Sequence, residues 1–255
     1  MLTTTDWACP SHDLFQSLRP GQVHVWRARL EDSSAQASRY RGYLSPNEIG
    51  KADRCHVPHP QYQFVVTRGI LRMLLSRYVG VPPTQLRFKT QAQGKLTLLD
   101  SLVPPFQFNV SHAKGMALLA ITVEHALGID VEWVNRKVSD RAIAARYFSP
   151  RESAYLSSLP SEQFTQDFFS YWTCKEAYLK MQGRGLSKGL AQCEITLHPD
   201  SLRVGLSQLD GQDQGKACSL LRMHVSPDHV GAVAVECPSA EISYWDWKDE
   251  RCWPV

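Results

Sequence analysis

The sequence predicts an α+β protein made of two similar lobes related by internal duplication. In this pseudo-twofold arrangement each lobe is a small antiparallel sheet packed on a long helix. Three observations carry that expectation. Short stretches of alternating polarity, as in half-buried strands, are interspersed with helix-period stretches that open on Ser-Pro. Ser45-Pro46 and Ser149-Pro150 lie 104 residues apart, and so do Phe64 and Phe168 near the starts of two long helical stretches. Tyr43-Leu-Ser-Pro and Tyr147-Phe-Ser-Pro are also alike. The lobes are expected over residues 1–126 and 127–255, with a cleft between them as the natural ligand site.

The elements follow in order. Residues 22–30 alternate like a strand. Residues 45–54 read as a short helix, with Ser45 as N-cap, Pro46 at the first helical position and Glu48 completing a capping box. Over 61–78 the apolar residues Phe64, Ile70, Leu71, Leu74, Leu75 and Tyr78 recur at helical spacing, until Gly80 and Pro82-Pro83 stop the helix. Strands are expected near 106–111 and 116–122, joined by a tight turn at Ala113-Lys-Gly-Met. A further strand covers 128–134. Residues 149–158 repeat the Ser-Pro opening with Glu152 at the third helical position, and a long helix over 166–181 ends near Gly183 and Gly185.

Composition narrows the class. In 255 residues, 43% are hydrophobic and 21% charged, as in an ordinary globular protein. A net charge of +3 is too small to argue for nucleic acid, but it suits an anionic ligand or an acidic partner. The seven cysteines are odd in number and form no C-x-x-C pair, which argues against a disulfide framework or structural zinc. The apolar run 116–123 is too short to span a bilayer. The first six residues lack a basic start followed by a long apolar stretch, so no secretory signal and a cytoplasmic location are expected.

Three features carry chemistry. In Gly128-Ile-Asp130-Val-Glu132 the two carboxylates fall at i and i+2 of a strand and project together, with Ile129, Val131 and Trp133 behind. Adjacent carboxylates repel unless a cation or proton sits between them; alone, the motif reads first as a solvated acidic face on an exposed strand. In Trp172-Thr-Cys-Lys175-Glu176-Ala-Tyr-Leu-Lys180 the residues Trp172, Glu176 and Lys180 share one helical stripe with Lys175 beside it. A surface Glu-Lys pair with a buried tryptophan would look the same. Phe108-Asn-Val-Ser111-His112 ends a strand, and no G-x-S-x-G surrounds Ser111. Cys174 reads as a small buried hydrophobe. Gly183-Arg-Gly185-Leu-Ser-Lys-Gly189 follows a helix instead of opening one, so it is not read as a phosphate loop.

In order and spacing these three features resemble the signature of the larger, pseudodimeric (surfactin-synthetase-activating) 4'-phosphopantetheinyl transferases. That signature is N-[VI]-S-H, then G-[IV]-D-x-E, then W-x-x-K-E-[AS]-x-x-K. The resemblance covers roughly residues 40–200 and includes Lys180-Met-Gln-Gly-Arg-Gly-Leu186. It implies transfer of the phosphopantetheine arm of coenzyme A to a serine of an apo carrier protein, acyl, polyketide or peptidyl. It implies Mg²⁺, or Mn²⁺, held by Asp130, Glu132 and Glu176, with Glu176 as candidate base and Lys180 at the leaving phosphate. Arg68, Lys95, Ser111 and His112 would bind coenzyme A, and Lys175 would pair with its pyrophosphate. The first lobe would then be the nucleotide side and the second the metal and catalytic side. One departure stands out: Leu96 follows Gly94-Lys95 where the family has proline.

The carrier is expected to dock on the basic, partly apolar segment 136–148, through Arg136, Lys137, Arg141 and Arg146 with Ile143, Tyr147 and Phe148 interleaved. The chain is expected to act as a monomer, without nucleic acid or membrane. Two rival readings are a metal-dependent phosphohydrolase of coenzyme A and a non-catalytic module that holds coenzyme A or a carrier.

Overall fold

The computed structural model describes residues 5–10, 14–15, 18–30, 33–91, 94–99, 105–135, 140–184, 190–208 and 217–248. The chain begins with β1 (Gln22–Arg29), α1 (Ser34–Arg41), α2 (Pro46–Asp53) and α3 (Pro58–Val79). It continues with β2 (Phe88–Thr90), β3 (Leu96–Leu98), β4 (Phe106–Ala113), β5 (Met116–Val123) and β6 (Leu127–Trp133). Then come α4 (Asp140–Tyr147), α5 (Pro150–Ser158) and α6 (Ser161–Gln182). The last strands are β7 (Cys193–Thr196), β8 (Gly205–Gln208), β9 (Ser219–Ser226), β10 (His229–Val235) and β11 (Glu241–Asp246).

Strand periodicity builds four layers from this string. One sheet has the order β11-β1-β5-β4 and another β6-β10-β9. On β1, Val23 and Val25 point one way and Trp26 and Ala28 the other, all fully buried. Val23, Val25, Leu118 and Ala120 meet Ile129, Val131, Val233 and Val235 from the second sheet, so the sheets pack face to face. The opposite face of the first sheet packs on α3 through Trp26, Leu119, Ile121, Ile70 and Leu74. The opposite face of the second packs on α6 through Ala232, Ala234, Phe168, Ala177 and Tyr178.

The second sheet is antiparallel, as expected, but the first is mixed. β11 runs parallel to β1, pairing Val25 with Tyr244 and Trp26 with Trp245. The chain's last described strand therefore completes the first sheet.

The two helix pairs share a local design. Ser45 with Glu48, and Ser149 with Glu152, form complete capping boxes. α3 and α6 have 22 residues each and end on Gly80 and Gly183 at φ 69° and 67°, the left-handed conformation that glycine adopts without strain. Both long helices start earlier than expected, at Pro58 instead of 61 and at Ser161 instead of 166. Residues 58–60 and 161–163 are exposed and carry no apolar stripe to announce the helix starts. Measured from their caps, α3 and α6 are offset by 103 residues, one fewer than the Ser-Pro landmarks. On that offset Lys175 matches Arg72.

Candidate functional site

The site lies where β4, the edge of the first sheet, runs beside β6, the edge of the second. Side chains bridge these edges. Asn109 Oδ1 accepts the Ile129 N–H at 2.9 Å, and Ser111 Oγ donates to Asp130 Oδ1 at 2.9 Å. Two residues apart on β4, they reach the same way.

Gly128 sets the distance between β6 and α6. A Cβ there would lie 2.1 Å from the Ala177 carbonyl oxygen and 2.4 Å from the Met181 nitrogen, so only glycine lets the strand approach the helix backbone this closely. Asp130, two residues on, faces the α6 side, with Ile129 and Val131 buried behind it. Lys180 on α6 reaches back. Its Nζ donates to Asp130 Oδ1 at 2.6 Å and to Ser111 Oγ and the Ile129 carbonyl at 3.2 Å each.

Glu176, one turn before Lys180, is 5% exposed. Burial, then the charge of Asp130, and more weakly that of Glu132, push its carboxyl up to about 7 against the pull of Lys180. The structure thus places Asp130, Glu132, Glu176, Lys180 and Ser111 in one electrostatic neighbourhood. Asp130 Oδ2 and Glu176 Oε1 are buried without a hydrogen-bond partner. Among the described residues, no three His, Cys, Asp or Glu side chains are close enough to form a ready-made metal cage.

A cavity of about 210 Å³ opens beside this cluster, walled by Phe64, Leu71, Leu96, Phe108 and Val110. Thr67, Arg68, Lys95, Asn109 and His112 supply its polar lining. Arg68 Nη1 is buried with no partner, as is the Thr67 hydroxyl. Lys95 Nζ donates to the Leu127 and Lys180 carbonyls at 2.9 and 3.2 Å, tying the turn before β3 to β6 and α6. Desolvation lowers the Lys95 pKa; desolvation and the Lys180 charge lower that of His112. Leu96 lines the cavity from the first position of β3.

Lys175 is the exception. Its side chain is fully buried and paired with Glu152 at 2.8 Å, and Nζ also donates to the Leu190 and Cys193 carbonyls. Its three donors are used inside the fold, which corrects the expected pairing with a pyrophosphate. Cys174 is buried too, and burial pushes its thiol up to about 12.

Of the expected docking segment, residues 136–139 lie outside the described residues. Arg141 caps α5 by donating to the Ser157 and Leu159 carbonyls at 3.2 Å each, with its guanidinium 4.4 Å above the Phe164 ring. Arg146 is exposed beside Tyr147. Trp245 and Trp247 pack against the first core.

Sequence reasoning passed over Thr67 and gave Asn109 and Glu48 no part in the site. Asn109 stood inside a quoted motif, yet nothing in that motif shows a side chain replacing a missing strand pairing. Glu48 was legible only as a helix cap.

Two edge strands side by side, a buried carboxylate cluster and an adjoining cavity lined by Arg68 and Lys95 make up the candidate site. The family model of the 4'-phosphopantetheinyl transferase superfamily matches residues 126–234. The chain is 36% identical to the 4'-phosphopantetheinyl transferase HetI of Nostoc sp., over 91% of this chain and 94% of that one. It is 27% identical to the 4'-phosphopantetheinyl transferase Sfp of Bacillus subtilis, over 81% of this chain and 88% of that one. The chain belongs to the 4'-phosphopantetheinyl transferase superfamily. Among the described residues, no helix is long and apolar enough to cross a membrane.

Proposed function

We propose that this chain transfers the 4'-phosphopantetheine arm of coenzyme A to a serine of an apo carrier protein and releases adenosine 3',5'-bisphosphate. One observation carries the reading beyond family membership. The buried, unpartnered oxygens of Asp130 and Glu176 lie beside a cavity lined by Arg68, whose guanidinium is paired at Nε but has no partner at Nη1. An acidic pocket beside a basic one suits a divalent cation next to a polyphosphate ligand.

In this reading Arg68, Lys95 and His112 hold the nucleotide phosphates from the first lobe, within residues 1–126. The second lobe, from residue 127 through β10, carries the chemistry; β11, expected in this lobe, belongs to the first sheet. Mg²⁺, or Mn²⁺, fits Asp130, Glu132 and Glu176, because a cation relieves their mutual repulsion and satisfies the two orphaned oxygens. When bound it withdraws charge from the phosphoryl group. Glu176 takes the proton of the carrier serine, whose oxygen forms a new bond to the phosphorus bearing the pantetheine. The phosphoanhydride bond to the adenosine bisphosphate breaks, and its electron pair stays on the leaving phosphate. Lys180, already at the site through Asp130 and Ser111, stabilises that charge.

The matched capping boxes and the two 22-residue helices support an ancient duplication behind the two lobes. The carrier docks beside α4, where Arg146 is exposed. The deciding experiment is incubation with coenzyme A, Mg²⁺ and a panel of apo carriers, read by intact mass. Wild type adds one phosphopantetheine per carrier, and Asp130→Ala abolishes transfer while keeping its fold. Consumption of coenzyme A without any carrier would instead establish the phosphohydrolase reading.

A further inference from the structure

Arg68 and Arg72 share a single carboxylate, that of Glu48. Arg72 is buried, and its Nε donates to Glu48 Oε2 at 2.8 Å. The same Oε2 accepts from Ser45 N at 2.9 Å and Ser45 Oγ at 3.0 Å, which closes the α2 capping box. Three donors on one oxygen fix the carboxylate. Its other oxygen, Oε1, stands 3.5 Å from Arg68 Nε. The Arg68 guanidinium lies 5.6 Å from the centroids of both Phe64 and Phe88, and its buried Nη1 has no partner.

A guanidinium is planar, so an ion pair at Nε together with two neighbouring rings restricts where its remaining N–H groups point. Two buried cations on one anion also leave a positive excess beside an apolar cavity, which an anionic ligand group neutralises. The second half of the chain repeats the clamp but not this use of it. There Glu152 holds Lys175, while Tyr171 stands at the position matching Arg68 on the offset of the two helix caps.

We propose that Glu48 is a positioning residue for Arg68: the carboxylate locked into the α2 cap holds the Arg68 guanidinium, through its Nε, in the cavity wall for a ligand phosphate. This rests on the proposed function, in which Arg68 holds a nucleotide phosphate, taken here as the 3'-phosphate of coenzyme A, and the test separates the two.

The measurement is KM for coenzyme A and for 3'-dephospho-coenzyme A in full-length wild type, Arg68→Ala, Glu48→Gln and Glu48→Asp. Glutamine keeps an acceptor for the cap and for Arg72, as capping boxes allow, but leaves no charge for Arg68. Aspartate keeps the charge but withdraws it by one methylene. In Arg68→Ala the preference for the 3'-phosphorylated ligand falls about tenfold or more, the size of one charge-assisted contact. In Glu48→Gln it falls at least about threefold, and Glu48→Asp shows the same drop if the glutamine variant does not fold. A role confined to capping α2 lowers the melting temperature without moving this ratio. A wild-type ratio in both folded Glu48 variants, with the ratio lost in Arg68→Ala, overturns the proposal. A wild-type ratio in Arg68→Ala removes the 3'-phosphate reading of Arg68 itself.

Discussion

The two oxygens of Asp130 have different surroundings: Oδ1 receives Ser111 and Lys180, while Oδ2 is buried without a donor. Glu176 completes the imbalance, since its Oε1 is also orphaned and its carboxyl titrates at about 7 instead of 4.5. Between those two pH values the folded chain keeps a proton that the unfolded chain has released. The associated stability is therefore full below about pH 4.5 and is lost as pH rises through 7. In the presence of a chelator, the stability of Glu176→Gln should gain on that of wild type between pH 5 and pH 8, by on the order of 2–3 kcal/mol. Urea unfolding at several pH values measures this. Parallel pH profiles for the two proteins would show that Glu176 titrates normally. Added Mg²⁺ should restore wild type at pH 8 more than it helps the variant, because only wild type keeps all three carboxylates.

Helices α3 and α6 are each held by a buried ion pair to the capping glutamate of the short helix before them. Arg72 meets Glu48 at 2.8 Å and the carbonyls of Pro83 and Leu86; Lys175 meets Glu152 at 2.8 Å and the carbonyls of Leu190 and Cys193. Each pair ties a short helix, a long helix and the chain that follows. Glu152 also accepts from the backbone N–H of Ser149 and Ile195 at 2.8 and 2.7 Å, so nothing in the pair is left for a ligand. Removing one charge strands the other in the core, at about 3–5 kcal/mol, whereas removing both costs less than the two single changes together. Glu152→Gln, Lys175→Met and their double variant should thus show a coupling of at least about 1 kcal/mol in denaturant unfolding. KM for coenzyme A should move little in Lys175→Met. Strict additivity, with a raised KM in a fully stable Lys175→Met, would return Lys175 to the pyrophosphate. Gly128 acts at the same scale, because its missing Cβ lets β6 and α6 carry Asp130 and Glu176 into one pocket.

Across the whole molecule, what was legible in the sequence was what repeats locally. Ser-Pro caps with a glutamate three residues on, alternating strands and the paired carboxylates of Asp130 and Glu132 are short-range patterns, and each stands where it was read. Long-range pairings were not legible. Nothing in Glu241-Ile-Ser-Tyr-Trp-Asp246 says that it runs parallel to β1, although that contact seats Trp245 and Trp247 on the first core. Lys175 misled for the same reason: beside Glu176 in sequence, it points into the core while its neighbour points to the site. The basic segment after β6 divides in a similar way. Both arginines are exposed, but Arg141 is spent on the end of α5 and the Phe164 ring, whereas Arg146 lies only beside the Tyr147 ring. An acidic carrier approaching α4 would be steered by Arg146, and charges at a rim act mainly on association and its dependence on salt. Arg146→Glu should raise KM for the carrier several-fold at low ionic strength and flatten its rise with added salt, with KM for coenzyme A unchanged. Arg141→Ala should instead lower the melting temperature through the lost cap of α5 and change the salt dependence less. Carrier kinetics at two ionic strengths for both variants separate the two arginines. A carrier KM that stays at its wild-type value in Arg146→Glu at both ionic strengths would move the docking face away from α4.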